Sequence, residues 1–151
     1  MRGRMDSPHA PVALRYALPL FALAVAGVAA AWVLAAFALE DQCAWLALVA
    51  ALDMLLLLRL ARWPAGVRSA LVAVAGTALS IVLANYGIAA AEMGRNMGLL
   101  PWASALKLGP DYAAMLMGLA NGAAEWGWYV LALAGSAWGG LSARRPAPST
   151  R

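Results

Sequence analysis

The chain is poor in the side chains that carry chemistry. It has one cysteine, Cys43, so no disulfide can close within it and no CxxC redox pair exists. The residues before it, Leu39-Glu40-Asp41-Gln42, lack the small apolar character of a lipoprotein cleavage site. Its one histidine, His9, excludes a bis-histidine haem or a histidine-based zinc site within one chain. No cofactor and no metal is expected. There is no P-loop, no GxGxxG after a strand, no HExxH and no GxSxG. No polar stretch is long enough to hold a catalytic domain.

Charge is scarce as well. Charged residues make up 12% of the chain and hydrophobic ones 64%. A soluble domain is nearer about one quarter and one half. A single domain of 151 residues has too small an interior to hide that excess. The net charge of +4 does not indicate nucleic acid, because the arginines sit in small groups between apolar runs and form no basic stripe.

What is present is four apolar runs, which predict an all-α membrane protein: a four transmembrane helix bundle. Residues 1–16 form a polar, turn-prone N-terminal segment. The runs cover about 17–39, 43–60, 69–91 and 112–141 within a transmembrane domain of 17–141. Residues 142–151, with Arg144 and Arg145, form a tail expected to be disordered. The first run could be weighed as a signal peptide. It exceeds the usual ~7–15 apolar residues and continues through Trp32, Val33, Leu34 and Phe37, which favours a span. The second is near the ~18-residue lower limit, and the fourth is long enough to tilt, start late or bend at its glycines.

Arginine sets the orientation. Arg2, Arg4, Arg15, Arg59, Arg62, Arg68, Arg144, Arg145 and Arg151 fall on one side, and only Arg95 and Lys107 on the other. Short loops rich in Lys and Arg stay in the cytoplasm, so both termini are expected inside, as in a bacterial inner-membrane protein. Glu40, Asp41, Glu92 and Asp111 then lie on the exported side. In the exported loop, Pro101 suits a first helical position and Gly109-Pro110 a stop. Trp102, Ala105, Leu106 and Leu108 give either a short interfacial helix or a loop packed on the bundle. Asp111 suits the N-cap of the last helix.

Two carboxylates and two side-chain amides fall inside the runs: Asp53, Asn85, Asn121 and Glu125. Asp53 and Glu125 each count about 10–14 residues from the exported ends, roughly 15–21 Å at 1.5 Å per residue, with no basic residue at that depth. They could meet and share a proton, as close carboxylates cannot both ionise cheaply. One reading is a proton or cation site on the bundle axis. The other is interhelical hydrogen bonding that fixes helix pairing. Gly118 and Gly122 form a small-xxx-small pair suited to helix packing, as do Gly94 with Gly98 and Gly135 with Gly139.

Three functions follow as expectations. The first is a non-catalytic accessory, assembly or scaffold component, with the lipid bilayer and other membrane subunits or a second copy as partners. The second is a small proton- or cation-coupled transporter or channel using Asp53 and Glu125. Small multidrug transporters also have four helices and a membrane glutamate, but carry it in the first helix. The third is an intramembrane hydrolase. Asn85-Tyr86-Gly87-Ile88-Ala89 faintly echoes a motif of lipoprotein signal peptidases, whose paired aspartates are missing here.

Overall fold

The computed structural model describes residues 10–142, and those described residues are helical with no strand. His9 and the expected C-terminal tail after Ser142 lie outside them. Six helices follow one another: α1 (Ala10–Leu39), α2 (Leu46–Leu60), α3 (Val67–Met97), α4 (Pro101–Lys107), α5 (Pro110–Ala120) and α6 (Ala123–Ser142). Two are long and apolar enough to cross a membrane, α1 over Pro19–Leu39 and α3 over Val67–Met97. By length and composition α2 and α6 do not reach that standard. At 15 residues, α2 is about 22 Å long.

α3 is the hub, touching every other helix, while α2 and α6 also pack on each other. Phe21 lies against Gly76 and Val33 against Gly87, so α1 runs parallel to α3. Met54 packs on the same Gly76, and Gly140 meets the backbone of Ala70, so α2 and α6 run the opposite way. The glycines allow these close approaches. A Cβ on Gly87 would stand 2.7 Å from Val33, and one on Gly140 would overlap Ala70. The amide of Gly66 also donates to the Gly140 carbonyl at 3.2 Å, joining the start of α3 to the end of α6.

Trp32, Met54 and Val25 are fully buried, but most of the interior is built of small side chains. The interior holds Ala47, Ala50, Ala73, Ala84 and Ala132 with Thr77, Ser80 and Ser136. The hydroxyls there return to carbonyls of their own helix, Thr77 to Ala73 at 2.8 Å and Ser80 to Gly76 at 3.0 Å. Leu23, Leu34, Leu71, Val130 and Trp138 all face outward, with 63–75% of their surface exposed.

Several expected boundaries move. Helix α1 starts at Ala10, inside the segment expected to be turn-prone; Pro11 sits in its first turn, where a missing amide costs nothing. Helix α2 starts at Leu46 because Glu40 and Cys43 adopt left-handed backbone, and the turn folds back so that Trp32 Nε1 donates to the Gln42 carbonyl at 3.0 Å. α3 runs six residues past its expected end, to Met97. Gly98, at φ 64, closes it while the Leu99 amide bonds the Gly94 carbonyl at 2.9 Å. Gly94 and Gly98 thus form a helix stop, and Gly94 also leaves room for Ser104 of the next helix, 3.1 Å from where its Cβ would stand.

The short helix expected between the third and fourth runs forms, with Pro101 in its first turn. It is pinned to α3, since Ser104 Oγ donates to the Ala90 carbonyl at 2.6 Å and Tyr86 Oη reaches the carbonyls of Ala105 and Leu108 at 2.6 and 2.9 Å. Trp102 and Leu106 project outward from it. Asp111 is not an N-cap: Gly109 holds that position and Asp111 lies in the first turn of α5. The largest correction is to the fourth run, which is two helices. Asn121 is extended (φ −100, ψ 111) and ends α5, and α6 restarts at Ala123.

Candidate functional site

The break between α5 and α6 is built around Asn121. Its Nδ2 turns back to the Met117 carbonyl at 2.8 Å, the same carbonyl that accepts its backbone amide at 3.1 Å. That Nδ2 also donates to Oδ1 of Asn85 at 2.9 Å. Asn85 lies in the middle of α3, 2% exposed, with its own Nδ2 on the Ile81 carbonyl at 2.9 Å and 3.1 Å from Tyr129 Oη. The phenol of Tyr129, on α6, donates to Asn121 Oδ1 at 2.6 Å. Gln42, from the α1–α2 turn, donates its Nε2 to Asn85 Oδ1 at 2.8 Å.

Four side chains from four segments therefore close one buried network. Buried amides left unpaired would each cost about 1–3 kcal/mol, and here they satisfy one another. Trp32 and Trp126 flank the Tyr129 ring, at centroid distances of 6.2 and 5.8 Å.

Asn85 and Asn121 are thus brought together, and the two carboxylates are not part of their cluster. Asp53 lies near the middle of α2, and its Oδ2 is buried with no hydrogen-bond partner. Glu125 is in the first turn of α6, half-buried, with its Oε2 near Gly122. Leu55 packs on Gly139 where the parallel α2 and α6 meet. Glu125 precedes Gly139 by fourteen residues and Asp53 precedes Leu55 by two. The two carboxylates are therefore about twelve residues apart along the bundle, roughly 18 Å at 1.5 Å per residue. A shared proton is ruled out by that offset. The two depths looked equal only because the fourth run was counted as one straight helix.

Gly118 and Gly122 do not pack helices within the chain. A Cβ on Gly118 would meet nothing within 4 Å, and Gly122 lies in the break. Close approach falls instead to Gly76, Gly87, Gly94, Gly139 and Gly140.

Above the amide network, between the C-terminal end of α1 and α5, is a cleft of about 680 Å³. Among the described residues the Cα atoms of α1 and α5 stay more than 8 Å apart, so the two backbones do not close the cleft between them. Its α3 wall runs from Asn85 to Met97, and Gln42 and Asn85 form its floor. Among the described residues no group of His, Cys, Asp and Glu could hold a metal ion.

Two members of the network, Gln42 and Tyr129, were not among the sequence candidates. Tyr129 had a signal, as it lies eight residues after Asn121, close to two helical turns. Gln42 had none, since it reads as an ordinary residue ending a span. Comparison with protein-family models, curated proteins and solved structures yields no match.

Proposed function

We propose that this chain is a multi-pass integral membrane protein that acts without catalysis, as an accessory, assembly or scaffold component. The observation that carries this is the burial pattern: apart from Trp32, Met54, Val25 and Tyr129 the interior is mostly alanine, serine, threonine and asparagine, while most leucines and the other tryptophans face outward. In water that arrangement would expose the apolar surface that drives folding, whereas in lipid it costs nothing and packing rests on small residues and interhelical hydrogen bonds. On this reading α1, α2, α3 and α5–α6 make four crossings with both ends in the cytoplasm. α2 is short, so its crossing requires local thinning of the bilayer or the added turn at Ala44 and Trp45. The arginine bias supports the orientation, with Arg59, Arg62 and Arg68 at one end of the bundle and Glu40, Asp41, Glu92 and Asp111 at the other.

The accessory role is supported by a polar network whose amides and phenol are spent on one another across four segments, as in a structural element. Crosslinking in native membranes, followed by purification in mild detergent, tests it. The expected result is a species larger than one chain; recovery of the lone monomer under both conditions would contradict it.

A second reading, proton- or cation-coupled transport, is favoured by one observation, the unpartnered Oδ2 of Asp53. It predicts loss of proton-dependent flux in Asp53→Asn proteoliposomes, and wild-type flux in that variant would dismiss it. Because of the offset, Glu125 would act separately from Asp53.

A further inference from the structure

We propose that the cleft between α1 and α5 is a binding site for an organic cation with an apolar body. Its volume of about 680 Å³ falls in the ~300–1,000 Å³ range of small-molecule sites. The walls are largely apolar, with Phe37, Ile88, Met93 and Leu116 among them. The rim carries three carboxylates, Glu40, Asp41 and Glu92, against one guanidinium, Arg95.

That guanidinium is already engaged. Arg95 pairs with Glu92 at 3.5 Å and lies 5.6 Å from the centre of the Phe37 ring. This is the one ion pair among the described residues, so Glu40 and Asp41 have no basic partner there. In the floor the Asn85 amide is saturated by Gln42, Asn121, Tyr129 and Ile81. Selection therefore falls to the rim charge and the apolar walls, which favour a cation over a neutral or anionic molecule of the same shape. The gap between α1 and α5 gives an amphiphile access from the side, without passage through the bundle.

The assignment draws on the membrane reading only for the direction from which ligand enters. The test reads the cleft itself, and orientation is measured separately by cysteine labelling. Full-length protein in phosphatidylcholine nanodiscs is titrated with a dimethylaminostyryl-N-methylpyridinium cation, whose fluorescence rises on leaving water. Empty nanodiscs provide the background. The neutral styrylpyridine parent, at mildly alkaline pH, provides the charge control.

Saturable binding of the cation at one per chain is expected, and none of the parent. The double variant Glu40→Gln/Asp41→Asn should bind about tenfold more weakly, as expected for loss of close charge partners. Ala120→Trp, a change at an exposed position of the cleft wall, should block binding without touching the rim charge. Monodisperse elution and helical circular dichroism establish that each variant is folded. Absence of saturable cation binding by the wild type, equal binding by the charge variant, or equal saturable binding of the neutral parent would each overturn the proposal.

Discussion

Asn121 donates its side-chain amide to Oδ1 of Asn85, 2.9 Å away and 36 positions earlier in the chain. The same amide holds the Met117 carbonyl, so one side chain both ends α5 and attaches that end to α3. Replacing Asn85 by leucine removes the acceptor for Gln42 and Asn121 together and leaves those amides buried without it. A loss of about 1–3 kcal/mol in stability is expected, read as a lower unfolding midpoint in detergent. Tyr129→Phe keeps the ring and removes the hydroxyl that Asn121 Oδ1 accepts. Its effect should be strongly non-additive with Asn85→Leu, because both act on one network. Additive losses would mean that the groups are independent.

The glycines of α6 divide sharply. Gly140→Ala should destabilise by about 1–3 kcal/mol, since the new Cβ would overlap the Ala70 backbone, which cannot rotate away. Gly135→Ala meets open space and should be neutral or stabilising by up to about 1 kcal/mol, the helix-propensity gain of alanine. Unfolding curves of the two variants side by side check this. Similar effects would place the α3–α6 contact elsewhere.

Asp53 carries a buried oxygen that nothing in the bundle satisfies. Removing a buried polar group that has no partner relieves its desolvation cost, so Asp53→Leu should raise stability by about 1 kcal/mol or more. A lower midpoint would show that the carboxyl makes an interaction that holds the fold.

The helices that were legible in sequence are those whose boundaries local chemistry decides. The apolar residues from Ala17 to Leu39 and from Ser69 to Ala91 form helices as expected, and the acidic turn after Leu39 ends α1. Pro101 opens α4 as its missing amide permits. The break at Asn121-Gly122 was legible only as an expected bend at the glycines of the fourth run, and an Asn-Gly pair suits a turn. What holds it there, the contact of Asn121 with Asn85 and Tyr129, is remote in sequence. The same distance effect hid Gln42, which becomes part of the network only because Cys43 and Glu40 turn the chain inward. Asp53 and Glu125 were misjudged together, since an error in one helix boundary shifted the depth assigned to Glu125. Gly98 was read by spacing as half of a packing pair. Its left-handed backbone shows the other common use of glycine, the end of a helix.

The central claim is that the bundle crosses a membrane four times with the arginine-rich turns inside. Single cysteines in a Cys43→Ala background, labelled on intact cells with a membrane-impermeant maleimide, test it most directly. Met97, Trp63, Asp111 and Ser142 are all exposed positions at helix ends or turns. Met97→Cys and Asp111→Cys should label from outside. Trp63→Cys and Ser142→Cys should label only after permeabilisation. Labelling of Trp63→Cys or Ser142→Cys on intact cells, or protection of Met97→Cys, would contradict the account.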